Sequence, residues 1–238
     1  MKKILISFAN EKYYPSLSLL EKTSIEIGRI DEFKKHTQSE LKTTEFWDKN
    51  KYILMQSRGA GYWIWKPYLL LKAFEEMTNN DVVMYSDAGI SVIDDLTPLF
   101  EIAYKKERVI FQIPGGHLNR TFTKMDCFNI MGCSENKYLD GIMVNGAISL
   151  WKKSDQNKIY LEEWLKWCRN PAVVTDLPSL TPNLTGFKDH RHDQSILSLM
   201  SIKYEWERFR DPTQWGVNEK SDNGNYGVLM NHHRGKLK

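Results

Sequence analysis

Cysteine is scarce in this chain. The 238 residues include three, Cys127, Cys133 and Cys168. An odd number without CxxC or CxxH spacing points to neither a disulfide framework nor a zinc site. A reducing, cytoplasmic setting is the simplest expectation. Long apolar runs are absent too, so no membrane span is expected, since a spanning helix needs about 20 predominantly apolar residues. After the basic start Met1-Lys2-Lys3, the apolar run Ile4 to Ala9 is too short for a signal-peptide core and gives way to Asn10 and Glu11. A large charge excess is also missing. Lys and Arg total 33 and Asp and Glu 30, for a formal net charge of +3. That surplus does not announce a nucleic-acid binder, which shows a strong basic patch or stripe. No Gly-x-x-x-x-Gly-Lys-Ser/Thr segment occurs and no Gly-rich loop follows the first strand, which weighs against a phosphoryl- or nucleotidyl-transfer enzyme.

What is present is a globular composition, 41% hydrophobic and 26% charged. There are no repeats, low-complexity tracts or linkers, so the length fits one domain, 1–238. Aromatics are plentiful at 8 Trp, 11 Tyr and 10 Phe. They fill cores and also make platforms for sugar rings and bases.

Lys3 to Ala9 reads as a buried parallel strand, because its apolar content is continuous rather than alternating. Tyr14-Pro15-Ser16 starts a helix to about Ile27. A short strand or turn is expected over 29–36, mostly helix over 38–49, and a short apolar run at 52–56. Trp65-Lys66-Pro67 opens a helix with Pro67 in its first turn. Val82 to Tyr85 is the strongest strand signal and runs directly into Ser86-Asp87-Ala88-Gly89. A helix over 96–106 and a strand over 109–113 follow. The second half reads as a strand at 146–151, a helix at 159–168, a loop at 171–188, a helix at 193–203, and an irregular tail from Asp211. This alternation predicts a single α/β, Rossmann-like domain with a mostly parallel central sheet flanked by helices. The alternation is clear over residues 1–113, and residues 114–238 are less regular.

In such a sheet, ligands bind beyond the carboxyl ends of the strands. Asp87 sits there with small neighbours, as a carboxylate that holds Mg²⁺ or Mn²⁺ against a diphosphate would. Taken by itself, it also reads as an Asp that caps a turn. His190-Arg191-His192-Asp193-Gln194 packs ligating and sugar-binding groups at a helix start, where an acid also complements the helix dipole. Asn231 to Lys238 offers His233 and several cations, either a solvated basic end or a closure over a diphosphate. Trp63 and Trp65 alternate, so in an extended segment one faces the core and the other the pocket.

The segment Arg58-Gly-Ala-Gly-Tyr-Trp-Ile-Trp-Lys-Pro67 resembles the Gly-Tyr-Gly-Tyr-Trp-Leu-Trp-Lys-Pro signature of a bacterial and viral group of GT-A nucleotide-sugar glycosyltransferases. The Asp-Ala-Gly and the later His-Asp-Gln share that group's order and spacing, from about residue 3 to 210. The resemblance implies a metal-dependent transferase that moves a sugar from a nucleotide diphosphate sugar, a UDP-sugar favoured, to a glycan or glycolipid acceptor, as in polysaccharide biosynthesis. Peripheral membrane association is compatible with it. Asp87 maps onto the first Asp of the class's Asp-x-Asp motif, and Gly89 stands in place of the second. His233-Arg-Gly-Lys-Leu-Lys238 resembles the His-x-Gly-x-x-Lys tail of glycogenin-like enzymes, which makes His233 a second metal ligand and Lys238 a diphosphate contact. Ser7, Asn10, Arg58, Trp65, Lys66, Ser86, Asn145 and His192 are implied on the donor, with Asp140 a further sugar contact. Asp193 and Asp189 are the candidate catalytic carboxylates, and the sequence does not choose between them. The competing class is a non-catalytic nucleotide- or carbohydrate-binding domain on the same fold, for which the missing second Asp speaks.

Overall fold

The structure is a computed structural model that describes residues 1–218 and 223–233. In chain order its strands and longest helices are β1 (Lys3–Ala9), α1 (Tyr14–Glu26), β2 (Glu32–Thr37), α2 (Trp65–Glu76), β3 (Val82–Ser86), β4 (Ile90–Val92), α3 (Thr97–Lys106), β5 (Arg108–Gln112), β6 (Val144–Lys152), α4 (Asp155–Cys168), α5 (His192–Lys203), β7 (Arg208–Phe209) and β8 (Met230–His232).

Six strands make the central sheet in the order β2-β1-β3-β6-β5-β7, and β4 pairs with β8 in a separate ribbon. β1 runs parallel to both β2 and β3, and β5 runs parallel to β7. Only β6 is reversed, antiparallel to β3 and β5. The chain therefore forms a single α/β domain with a mostly parallel sheet flanked by helices, as the alternation predicts. β1 and β3 are buried on both faces, which explains their unbroken apolar sequences. Ile4, Ile6, Val83, Tyr85 and Trp151 pack on one face under α2, α4 and α5, while Leu5, Val82, Met84, Val109 and Leu150 pack on the other with α1 and α3. Each such side chain contributes about 1.5–3 kcal/mol by leaving water. Cys127, Cys133 and Cys168 are unpaired and buried, and burial pushes the Cys127 and Cys168 thiols far up.

The reversal of β6 places the site. Its first residues lie at the same sheet edge as the last residues of its parallel neighbours. Ser86 pairs with Ile148 and Gln112 with Val144, and the Asp87 N–H donates to the Ala147 carbonyl at 2.8 Å. Asn145 and Gly146 lie inside β6 rather than ahead of it, beside Asp87. Elsewhere the expected helix over 38–49 divides into two short pieces, Gln38–Leu41 and Glu45–Lys49, each capped by a threonine hydroxyl, Thr37 and Thr44. The apolar run near residue 52 is a helical turn, and the loop over 171–188 begins with another, Pro171–Val174.

Candidate active site

A cavity of about 920 Å³ opens along this sheet edge. Asn10, Lys12 and Tyr13 come from the end of β1, Asp87 and Gly89 from the end of β3, and Asn145 and Gly146 from the start of β6. His192, Asp193 and Gln194 enter from the first turn of α5.

At its floor lies a charge cluster. Lys66, in the first turn of α2, is 3% exposed. Its Nζ lies 3.3 Å from Asp87 Oδ1 and 3.2 Å from Asp193 Oδ2, and donates to the Gly146 carbonyl at 2.8 Å. Tyr85 donates its hydroxyl to Asp87 Oδ1 at 2.5 Å. Burial disfavours the Lys66 ammonium, yet Asp193 and Asp87 together hold its pKa above the usual lysine value. One cation serves two carboxylates, and the more buried of them yields. Burial, with the Asp87 charge adding to it, raises Asp193 to about 7 against the pull of Lys66. Asp193 thus carries an easily exchanged proton near neutral pH.

Gly146 makes this approach possible. A Cβ there would sit 2.8 Å from Gln194 Cβ. Gln194 in turn donates from Nε2 to the Val144 carbonyl at 2.8 Å. Gly146→Ala is expected to cost about 1–3 kcal/mol by overpacking and to lower the activity, because the carbonyl that accepts from Lys66 must move. A urea melt with wild-type midpoint would show that α5 shifts freely away from β6.

The wall beside the cluster is the Gly59–Trp63 turn. Five consecutive residues have positive φ: Gly59 (57°), Ala60 (49°), Gly61 (95°), Tyr62 (54°) and Trp63 (59°). The Tyr62 N–H bonds to Arg58 O and the Trp63 N–H to Gly59 O, so this is one left-handed helical turn. A left-handed conformation costs roughly 1–2 kcal/mol for each non-glycine residue, and packing must offset it. His192, itself at φ 49°, sets its ring 4.7 Å from Tyr62 and 5.6 Å from Trp63. Trp65 stacks on Phe8 at 4.0 Å and donates its indole N–H to Gly59 O at 3.1 Å. Because the segment is not extended, Trp63 and Trp65 do not alternate. Trp65 is 4% exposed and packs in the core, touching the cavity from beneath, and Trp63 is the partly exposed one.

Of the residues the sequence singles out, Asn10, Arg58, Trp65, Lys66, Asp87, Asn145, Asp189, His192 and Asp193 line this cavity. Arg58 is ion-paired with Asp189 at 2.6 Å and more loosely with Asp176 at 3.5 Å, on the exposed rim. His192 is 1% exposed, and its Nδ1 faces the Val174 carbonyl at 2.7 Å. Burial lowers it to about 4, so it is neutral at physiological pH and its visible work is holding the left-handed turn. Ser7 and Ser86 do not face the cavity: both are fully buried within their strands. Asp140 lies off the cavity, paired to Arg120 at 2.5 Å. His233 donates its backbone N–H to Gly89 O, while its neighbour His232 is the one that lines the cavity. Lys238 lies outside the described residues. Tyr13, Trp215 and the buried Asp211, which accepts from Asn145 at 2.6 Å, join the site without a signal in the sequence pattern, and His232 belongs to the tail the sequence singles out. Gln194 had one, within the charged cluster at the start of α5.

Among the described residues, no group of three His, Cys, Asp or Glu side chains gathers to make a metal centre. The contacts to Asp87 fall on Oδ1, and its side chain is 34% exposed. This donor set fits a Mg²⁺ or Mn²⁺ carried chiefly by a diphosphate and its waters, for which one protein carboxylate suffices.

No family model and no curated protein sequence matches the chain. Solved structures do. Mouse xyloside xylosyltransferase 1 aligns over 98% of this chain and 97% of its own, at 11% identity and TM-score 0.53. The galactosyltransferase LgtC, solved with donor and acceptor sugar analogs, aligns over 99% of this chain and 88% of its own, at 15% identity and TM-score 0.49. The glycosyltransferase GlyE of Streptococcus pneumoniae TIGR4 aligns over 98% of this chain and 54% of its own, at 15% identity and TM-score 0.46. By its sheet order, its layers and its full-length likeness to the xylosyltransferase, this chain has the α/β fold of the GT-A glycosyltransferases.

Proposed function

We propose that the protein is a glycosyltransferase that moves a sugar from a nucleotide diphosphate sugar to a glycan or glycolipid acceptor. The observation that carries this reading is the Lys66–Asp87–Asp193 cluster at the carboxyl edge of the sheet, on the floor of a cavity large enough for a donor and part of an acceptor.

In this reading the nucleoside lies toward the end of β1, where Asn10 and Lys12 offer polar contacts and the half-exposed Tyr13 a stacking face. The diphosphate lies at Asp87, and the sugar extends over Lys66, Asp193 and Gln194. Transfer forms a bond from an acceptor hydroxyl to the anomeric carbon and breaks the bond from that carbon to the diphosphate oxygen, which leaves with the electron pair. A divalent cation held by Asp87, with His233 at the same corner, would supply charge neutralisation on that leaving group. Asp193 and Lys66 hold the donor sugar's hydroxyls, a role suited to a carboxyl that exchanges its proton near pH 7. The acceptor's proton needs a receiving oxygen within reach of solvent. Asp189, on the exposed rim, is the better placed of the two candidate carboxylates, since Asp193 is 2% exposed.

Purified protein with Mn²⁺ should slowly hydrolyse at least one nucleotide sugar from a UDP-, GDP- and CDP-sugar panel, and binding of the matching nucleotide should raise the melting temperature. Neither turnover nor a thermal shift across the panel would sink the transferase reading. Asp87→Ala is expected to weaken Mn²⁺-dependent nucleotide binding at least tenfold with a near-wild-type melting temperature, because Asp87 is partly exposed and Lys66 keeps Asp193. Calorimetric titration with UDP and Mn²⁺ checks it, and unchanged affinity removes Asp87 from the diphosphate site.

A further inference from the structure

We infer that Trp215, stacked on His232, is the platform on which a pyranose ring of the acceptor lies. This rests on the transferase reading above and adds the acceptor's chemical class at the reacting end, a sugar.

Trp215 stands apart from the chain's other tryptophans. Trp47, Trp65, Trp151, Trp164 and Trp206 are all buried, and Trp63 and Trp167 are partly so, whereas Trp215 is 39% exposed and lines the cavity. A large exposed aromatic in a concave site, with polar groups converging around it, is the composition of a ligand wall rather than of a core. Its ring lies 4.2 Å from the His232 ring at an interplanar angle of 11°, so one face rests on the imidazole.

The platform is also built rigidly. Gln214 clamps the backbone of His232 from both sides: its Nε2 donates to the His232 carbonyl and its Oε1 accepts the His232 N–H, both at 2.9 Å. The fully buried Asp211 takes the Thr213 N–H at 2.8 Å and the Thr213 hydroxyl at 2.5 Å on one oxygen. On the other it takes Asn145 Nδ2 at 2.6 Å. A continuous set of hydrogen bonds therefore ties Trp215 to Asn145 in the cavity floor. Such fixing lowers the entropy lost when a ligand settles on the ring.

Position decides between a base and a sugar. Along the sheet edge the order is β1, β3, β6, β5, β7. Tyr13, the aromatic suited to a nucleobase, follows β1, whereas the Trp215 segment crosses from β7 to β8, where Thr213 bridges Met230 and Trp215 stacks on His232. His232 ends β8, whose partner β4 begins directly after Asp87-Ala88-Gly89. The platform thus borders the Asp87–Gly89 corner, to which the attacking sugar must come. The indole face covers the sugar's C–H face, the usual role of an amphipathic aromatic, and the polar lining of the cavity is left for its hydroxyls.

The test uses the full chain with Mn²⁺ and UDP, probed with methyl β-glucoside, β-galactoside, α-mannoside and β-xyloside by saturation-transfer NMR. At least one glycoside should bind wild type, bind Trp215→Ala at least tenfold more weakly, and bind Trp215→Phe with intermediate strength. UDP affinity should stay within twofold in all three proteins. Equal glycoside binding in Trp215→Ala overturns the platform. A parallel loss of UDP moves Trp215 to the donor and overturns it as well. A wild type that binds UDP but no glycoside overturns the platform alone, and one that binds no glycoside and none of UDP, GDP and CDP takes the transferase reading with it.

Discussion

Lys66→Met is expected to lower the unfolding free energy by about 3–5 kcal/mol, the cost of removing one partner of a buried ion pair. It should also abolish transfer. The Lys66 ammonium is buried between Asp87 and Asp193 and also satisfies the Gly146 carbonyl. Without it the buried Asp193 carboxylate is left with no cation, and Asp87 stands beside it as a second negative charge. Asp193 then escapes by keeping its proton, which sets the lower end of the range. Methionine keeps most of the stem and removes the ammonium, which also lies 5.1 to 6.0 Å from the Tyr85, Trp63 and Trp65 ring centroids, so the loss reports charge rather than volume. The midpoint of urea unfolding at pH 7.5 measures it. Should the single variant not accumulate, Lys66→Met combined with Asp193→Asn removes the exposed conflict. In that double variant the two stability changes should be strongly non-additive, with most of the loss recovered. Additive changes would show that Lys66 and Asp193 do not sense each other.

The parts of the fold that were legible are those whose cause is local. β1 and β3 announce themselves by continuous apolar sequence, and α2 by Pro67, which its first turn tolerates at no hydrogen-bond cost. α4 starts at Asp155, four residues before the apolar pattern, because the Ser154 hydroxyl caps it. The left-handed turn is not legible: no propensity places Tyr62 and Trp63 at positive φ, and contacts made only in the fold, among them the His192 ring from a distant helix and the Trp65 indole N–H on the Gly59 carbonyl, hold that conformation. The short strands β7 and β8 have no pattern long enough to read, and β8 exists because β4 offers it an edge. In the candidate site, Asp87 and Asp193 stand out in the sequence by type and context, and both line the cavity. The burial of Lys66 does not stand out, since its partners come from the end of β3 and the start of α5 and meet only in the fold. Ser7 and Ser86 erred in the other direction. Their positions near strand ends are right, but each is buried within its strand, away from the cavity.

Asp193→Asn is expected to lose transfer on the order of 100-fold, the scale of removing one preorganised polar partner of a transition state, while gaining stability above neutral pH. The two effects have one origin. Burial holds Asp193 at about 7, well above the roughly 3.9 of an unfolded aspartate. Between those values the native state binds the proton that the unfolded state has released, so stability falls as pH rises through this window. Below it both states are protonated and the group contributes nothing; above it the full cost of a second carboxylate on one ammonium is present. Asparagine keeps the shape and a carbonyl oxygen for Lys66 and leaves Lys66 paired one-to-one with Asp87. Its advantage in melting temperature should therefore be near zero at pH 4, grow toward pH 7 and level off beyond. Melting curves of both proteins from pH 4 to 8.5, beside transfer rates at each pH, separate this from a packing effect, which would be flat with pH. A difference that shrinks as pH rises would mean that Asp193 is ionised throughout and stabilised by Lys66.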